Sequence, residues 1–212
     1  MNIDLTVKCS DLATVEKRII DFAKQDCIGT YEHWTILNTL NHAYSWKNNA
    51  LGKVRSRLNS KEAYFHSEKP IDVINREYYE STNDYSKTQT VEIIDMFLEK
   101  QKVLYNKIRG KETSKELAPL GYEGTVFDYL KYDLIYHPIN HYLFYAIKNT
   151  EYEVFLEVEK FIAENRSTLY NDLGIVDLKG MMDKTESRII FNRSYEWEHD
   201  DLYINIKENT IV

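Results

Sequence analysis

His137 and His141 stand four residues apart in an apolar stretch. In a helix that spacing puts both imidazoles on one face, with Cβ atoms roughly 5–6 Å apart. Two neutral imidazoles so placed can share one divalent metal ion, because a neutral ring nitrogen is the usual transition-metal donor near pH 7. A third donor, His42, lies far away in the chain and has to be delivered by the fold. Three imidazoles would leave coordination positions open for water or substrate, the arrangement of a catalytic rather than a closed structural site. A hydrogen-bonded pair, with tyrosine hydroxyls as partners, is the plainer reading of the same spacing, and the chain has 17 tyrosines.

Several neighbours bear on that chemistry. Asp133 precedes His137 by four residues. It can serve as a fourth ligand or accept the other ring N–H of His137, which fixes a ligand's tautomer; the simpler reading is a carboxylate on the helix surface. Asp133 or a nearby tyrosine, Tyr136, is the candidate for orienting a nucleophile. Trp34, Trp46 and Tyr142 are candidates for the wall of a small-molecule cavity. Pro138 works against a regular helix, since proline lacks an N–H and clashes with the preceding turn. Either the helix kinks between the two histidines, or His137 ends one segment and His141 begins another. His42 falls on the more polar face of its helix, with Asn38, Trp46 and Asn49. It can be a ligand only if that face lines a cleft.

The elements that must position these residues follow from apolar periodicity. Ser10 or Asp11 is expected to cap a first helix with Leu12, Val15, Ile19 and Phe22 in its stripe, ending around Cys27, Gly29 and Thr30. Thr35 caps a long second helix bearing Ile36, Leu37, Leu40, Tyr44, Leu51, Val54 and Leu58. Residues 59–70 read as a loop, followed by a short helix from Asp72 to about Tyr79. Val91, Ile94, Leu98, Tyr105 and Ile108 mark a third long helix that Gly110 stops. After the polar connection 111–124, Thr125 and Asp128 have capping-box form and open a central helix, Val126 to about Lys148. Phe155, Val158 and Ile162 suggest one more helix. The alternating segments 188–192 and 202–206 read as a terminal β-hairpin. The expected fold is mainly all-α: a four-helix bundle over residues 1–150 and an extension, 151–212, packed on it.

Bulk properties narrow the function. The 43% hydrophobic content of 212 residues supports a globular core. A net charge of −7 and the lack of a dense Lys/Arg run argue against nucleic-acid binding. No apolar run approaches the ~20 residues of a membrane span, and the polar start MNIDLTVKCS does not read as a signal peptide. Two cysteines, Cys9 and Cys27, form neither a CxxC site nor a disulfide framework, which suits a cytoplasmic location. The acidic run from Glu196 to Asp201 reads as solvated turn charge; His33 and His66 carry no pattern. Walker, GxSxG, HExxH and GxGxxG signatures are absent.

Taken together, WTILNTLNHAYSW and the HxxxH pair resemble the motifs of the DinB/YfiT-like superfamily of four-helix bundles, over roughly residues 10–150. His42 falls on that family's first histidine, and His137 and His141 on its HxxxH pair. The resemblance implies a three-histidine site for one divalent metal, zinc or nickel, and an activity among thiol-dependent transferases, isomerases and related enzymes. The segment from Ile74-Asn75 to Tyr79, the apolar helix from Val91 and His141-Tyr142 are similar to the ClbS/DfsB subgroup. That subgroup includes a hydrolase that opens the cyclopropane rings of a genotoxin and protects its producer, and its members do not all keep the metal triad. The leading expectation is therefore a metal-dependent hydrolase or thiol-dependent transferase acting on a reactive small molecule. The alternatives are a metal-free binding or self-resistance protein, and a non-catalytic oligomeric scaffold. A homodimer is compatible with each.

Overall fold

Asp4, not Ser10 or Asp11, opens the first helix. Its carboxylate accepts the Thr6 N–H at 2.9 Å and starts α1, Leu5–Phe22. Leu5 and Cys9 continue the buried stripe of Leu12, Val15 and Ile19 by two more turns, so burial carries the helix past both later cap candidates. Ala23 already caps its C-terminus. The computed structural model describes residues 4–23, 29–31, 33–59, 69–149 and 151–165, with strands at 180–183, 188–191, 202–205 and 210–211. Cys27, His66, most of the 59–70 loop and the acidic run at 196–201 lie outside the described residues.

Helix α2, Ile36–Leu58, begins where expected. The Thr35 hydroxyl accepts the Asn38 N–H at 3.1 Å, and the Asn38 side chain accepts the Thr35 N–H at 2.9 Å. These reciprocal bonds satisfy donors that a helix N-terminus otherwise leaves orphaned. Helix α3, Ile71–Thr82, starts at Pro70 and buries Ile74 and Tyr79. Ser86 and Gln89 form a second capping box that opens α4, Lys87–Ile108, and Gly110 follows its end at φ +80°. The left-handed backbone there is the conformation glycine adopts at least cost.

The fourth rod is segmented. The Thr125–Asp128 capping box opens α5, Val126–Lys131, as the sequence indicates. A π-helical turn, Tyr132–Tyr136, follows, and then α6, His137–Lys148. The His137 N–H reaches back five residues to the Tyr132 carbonyl. Pro138 explains the widening: it has no N–H to give Leu134, and its ring would strike that carbonyl in a regular α-helix. The disturbance thus lies before His137, not between the two histidines. Both belong to one α-helix.

The chain divides into two compact units, 2–141 and 142–212. In the first, α1, α2, α4 and the rod beginning at α5 pack as a four-helix bundle. Here α2 is central, touching α1, α3, α4, α5 and the π turn. In the second, the rest of α6 is followed by α7, Tyr152–Glu164, and by four short strands. The strands β1 (Gly180–Asp183), β2 (Arg188–Phe191), β3 (Leu202–Asn205) and β4 (Thr210–Ile211) form an antiparallel sheet in sequence order. Pairing of β2 with β3, Arg188 opposite Asn205, is the hairpin expected from alternation. No described helix is long and apolar enough to cross a membrane.

Candidate metal centre

Thr35 fixes the start of α2, and two turns later His42 projects into the bundle with 2% of its surface exposed. Its helix face is polar, yet α2 is so enclosed by neighbours that this face is buried as well. The π turn and Pro138 then set the start of α6, where His137 and His141 occupy successive turns. Their rings meet: the Nε2 atoms are 2.7 Å apart and the centroids 4.5 Å. His42 completes the group, its centroid 4.7 Å from that of His141 and 6.2 Å from that of His137. One ring nitrogen from each histidine lies within 4.8 Å of the others.

This group can hold a metal ion. Nitrogens bound to one ion at roughly 2.0–2.1 Å can be no more than ~4.2 Å apart, a little closer than the 4.8 Å spread of these three. Without an ion, the 2.7 Å contact needs one ring to carry its proton on Nε2. An ion in its place would accept both lone pairs. Two further nitrogens, Nδ1 of His42 and Nδ1 of His137, are buried with no hydrogen-bond partner. Buried orphans of this kind are costly, and a ligand is one way of resolving them.

Burial also decides the charge state. It pushes His42 down to about 3, aided by repulsion from His137. Burial pushes His137 down to about 4, with the Lys47 ammonium contributing. His141 is held well below its ordinary value by burial, then by His42 and His137. All three are therefore neutral donors at pH 7.

Asp133 is not the surface carboxylate of the simpler reading: its side chain is only 13% exposed. Oδ1 lies 3.9 Å from His137 Nδ1, beyond hydrogen-bond length but in line to become the acceptor for that ring. Burial pushes its carboxyl up to about 6, against the Tyr129 hydroxyl that hydrogen-bonds it and the charge of Lys53.

A pH dependence of stability follows for metal-free protein. Unfolding frees three imidazoles that protonate near 6.5, so it takes up protons as pH falls from 6.5 toward 4, and stability falls with it. Asp133 acts oppositely: its folded value near 6 exceeds the unfolded 3.8, so its contribution is present below 3.8 and lost as pH rises through 6. Three groups outweigh one. The urea midpoint of chelator-treated protein should be lower at pH 4.5 than at pH 7, and His42→Gln should narrow that difference. An unchanged difference in His42→Gln would show that His42 is not buried in its neutral form.

Aromatic rings wall the triad. Trp34 lies 4.6 Å from His42, and Trp46 lies 6.4 Å from His42 and 6.1 Å from His137. The Trp46 N–H donates to Asn75 at 3.0 Å, whereas the Trp34 N–H is buried without an acceptor. Tyr132 stacks on His137 at 6.1 Å, a contact between residues five apart that the π turn creates. Tyr136 reaches the group through Tyr132, at 5.2 Å. Tyr142 is fully buried and belongs to the second unit. Tyr129 is not among the residues singled out from sequence, although its spacing of four from Asp133 is a usable signal. Nor are Tyr132, Lys53 and Lys47, for which only the fold supplies one. Compared with protein-family models, curated proteins and solved structures, the chain matches none of them.

Proposed function

We propose that the protein is a divalent-metal enzyme, a hydrolase or thiol-dependent transferase of the DinB/YfiT-like type that acts on a reactive small molecule in the cytoplasm. One observation carries the reading: three neutral imidazoles from two helices, His42 buried and His137 and His141 half-buried, converge within 4.8 Å. His42, His137 and His141 would hold the ion, zinc or nickel as the family resemblance implies. When bound, such an ion lowers the pKa of water or a thiol and polarises a carbonyl. The protein's own residues have separate tasks. Asp133, held by Tyr129, orients His137 and the incoming nucleophile, with Tyr136 behind them. Trp34 and Trp46 exclude water and offer flat apolar surfaces to substrate.

Elemental analysis of protein purified without a metal-affinity tag tests the proposal. About one ion per chain is expected, with ester hydrolysis or thiol transfer that disappears on chelation and returns with zinc or nickel. Protein that takes up no ion during reconstitution would overturn the reading and favour metal-free binding of a small molecule by the same aromatic walls.

A further inference from the structure

Away from the triad, α2 and α4 border a cavity of about 250 Å³ lined by Asn48, Leu51, Gly52, Arg55, Lys100 and Leu104. Leu51 and Leu104 are buried and form an apolar floor. Gly52 lies inside α2, where glycine destabilises a helix relative to alanine. Packing does not call for it, since an added Cβ would meet no atom within 4 Å. Nor does the backbone, which is helical. What the missing side chain provides is space. Two cations border that space, and among the described residues neither Arg55 nor Lys100 has an ion-pair partner. Neighbouring Arg57, by contrast, donates to the Glu116 carbonyl at 2.9 Å. A guanidinium and an ammonium flanking an apolar floor stand out on a chain of net charge −7.

We infer that this cavity binds a small organic acid, a carboxylate carrying an alkyl or aryl body. The planar fork of Arg55 matches a carboxylate in two-point contact, and Lys100 adds a second positive charge. The body lies over Leu51 and Leu104, against the bare backbone of Gly52 and the aliphatic stems of the two cations. The volume falls just under the ~300–1,000 Å³ of pockets for drug-sized ligands, which limits the occupant to a compact acid.

Nuclear magnetic resonance of ¹⁵N-labelled full-length protein, titrated with sodium octanoate, tests this. Saturable shifts are expected in amides of residues 48–55 and 100–104, with octanol and inorganic phosphate each at least ten times weaker. Arg55→Gln and Lys100→Gln should each weaken octanoate roughly tenfold, as expected for losing a charge-assisted bond. Gly52→Leu should abolish binding while leaving the melting temperature unchanged or higher. Three results would overturn the inference: no shifts in these amides, octanol or phosphate binding as well as octanoate, or octanoate binding unimpaired in Gly52→Leu. The titration reads the same with or without metal, so it stands apart from the fate of the triad.

Discussion

Replacing His42 by alanine should cost the protein its metal. An ion shared by three imidazoles loses a third of its donors, and the loss should exceed the ~10–100-fold typical of removing only an outer partner. His42 is the most demanding of the three positions, because His137 and His141 already touch at 2.7 Å and would retain a two-donor site without it. Affinity measured by competition with a chromophoric chelator should fall by at least about 100-fold in His42→Ala, and similarly in His141→Ala. Metal binding also stabilises the folded state by mass action, by about 2.7 kcal/mol when free metal stands at 100 times Kd. Added zinc should therefore raise the melting temperature of the parent and leave that of His42→Ala nearly unchanged. Full metal retention in His42→Ala would remove that residue from the site.

A second large effect is expected deep in the bundle, where Lys47 and Glu16 form an ion pair. Lys47 Nζ lies 2.6 Å from Glu16 Oε1, with side chains 2% and 0% exposed. The Tyr44 hydroxyl donates to the other Glu16 oxygen, and the ammonium lies 4.1 Å from the Tyr44 ring centroid. Lys47→Met keeps most of the apolar stem and the volume but strands a buried carboxylate, a change that costs ~3–5 kcal/mol. Adding Glu16→Gln should recover most of that loss, since the amide oxygen can still accept from Tyr44 and no charge is left behind. Urea denaturation of the two variants is the measurement. A cost below about 1 kcal/mol in Lys47→Met would mean that water reaches Glu16.

Local chemistry was legible where a few adjacent residues decide the outcome. Thr35, Thr125 with Asp128, and Gly110 announce helix ends through bonds made within one turn, and the structure has those ends there. The pairing of 188–191 with 202–205 was likewise visible as alternation. The start of α1 was missed because Ser10 and Asp11 resemble caps, and only burial of Leu5 and Cys9 shows that the helix is already under way. His42 was hard to place because a helical wheel describes one helix, whereas its burial depends on five neighbours of α2. Lys47 and Glu16 carry no sequence signal for the same reason: their ion pair joins α2 to α1, 31 residues apart. Convergence of His42 with the HxxxH pair is a property of the bundle that spacing alone does not determine.

The π turn gives the fourth rod two independent rotational phases. From His137 onward, the angular positions of the ligand pair are set by α6. Upstream, Tyr129 and Asp133 keep the phase set by the Thr125 cap, offset from α6 by the extra residue in the wide turn. Removing one residue from Leu134 to Tyr136 would swing the upstream carboxylate about 100° around the axis relative to the imidazoles, with Pro138 still interrupting the backbone bonding of the rod. The donor pair and the group that steadies it could thus be re-indexed against one another by a single-residue gain or loss, with every cap and every histidine retained.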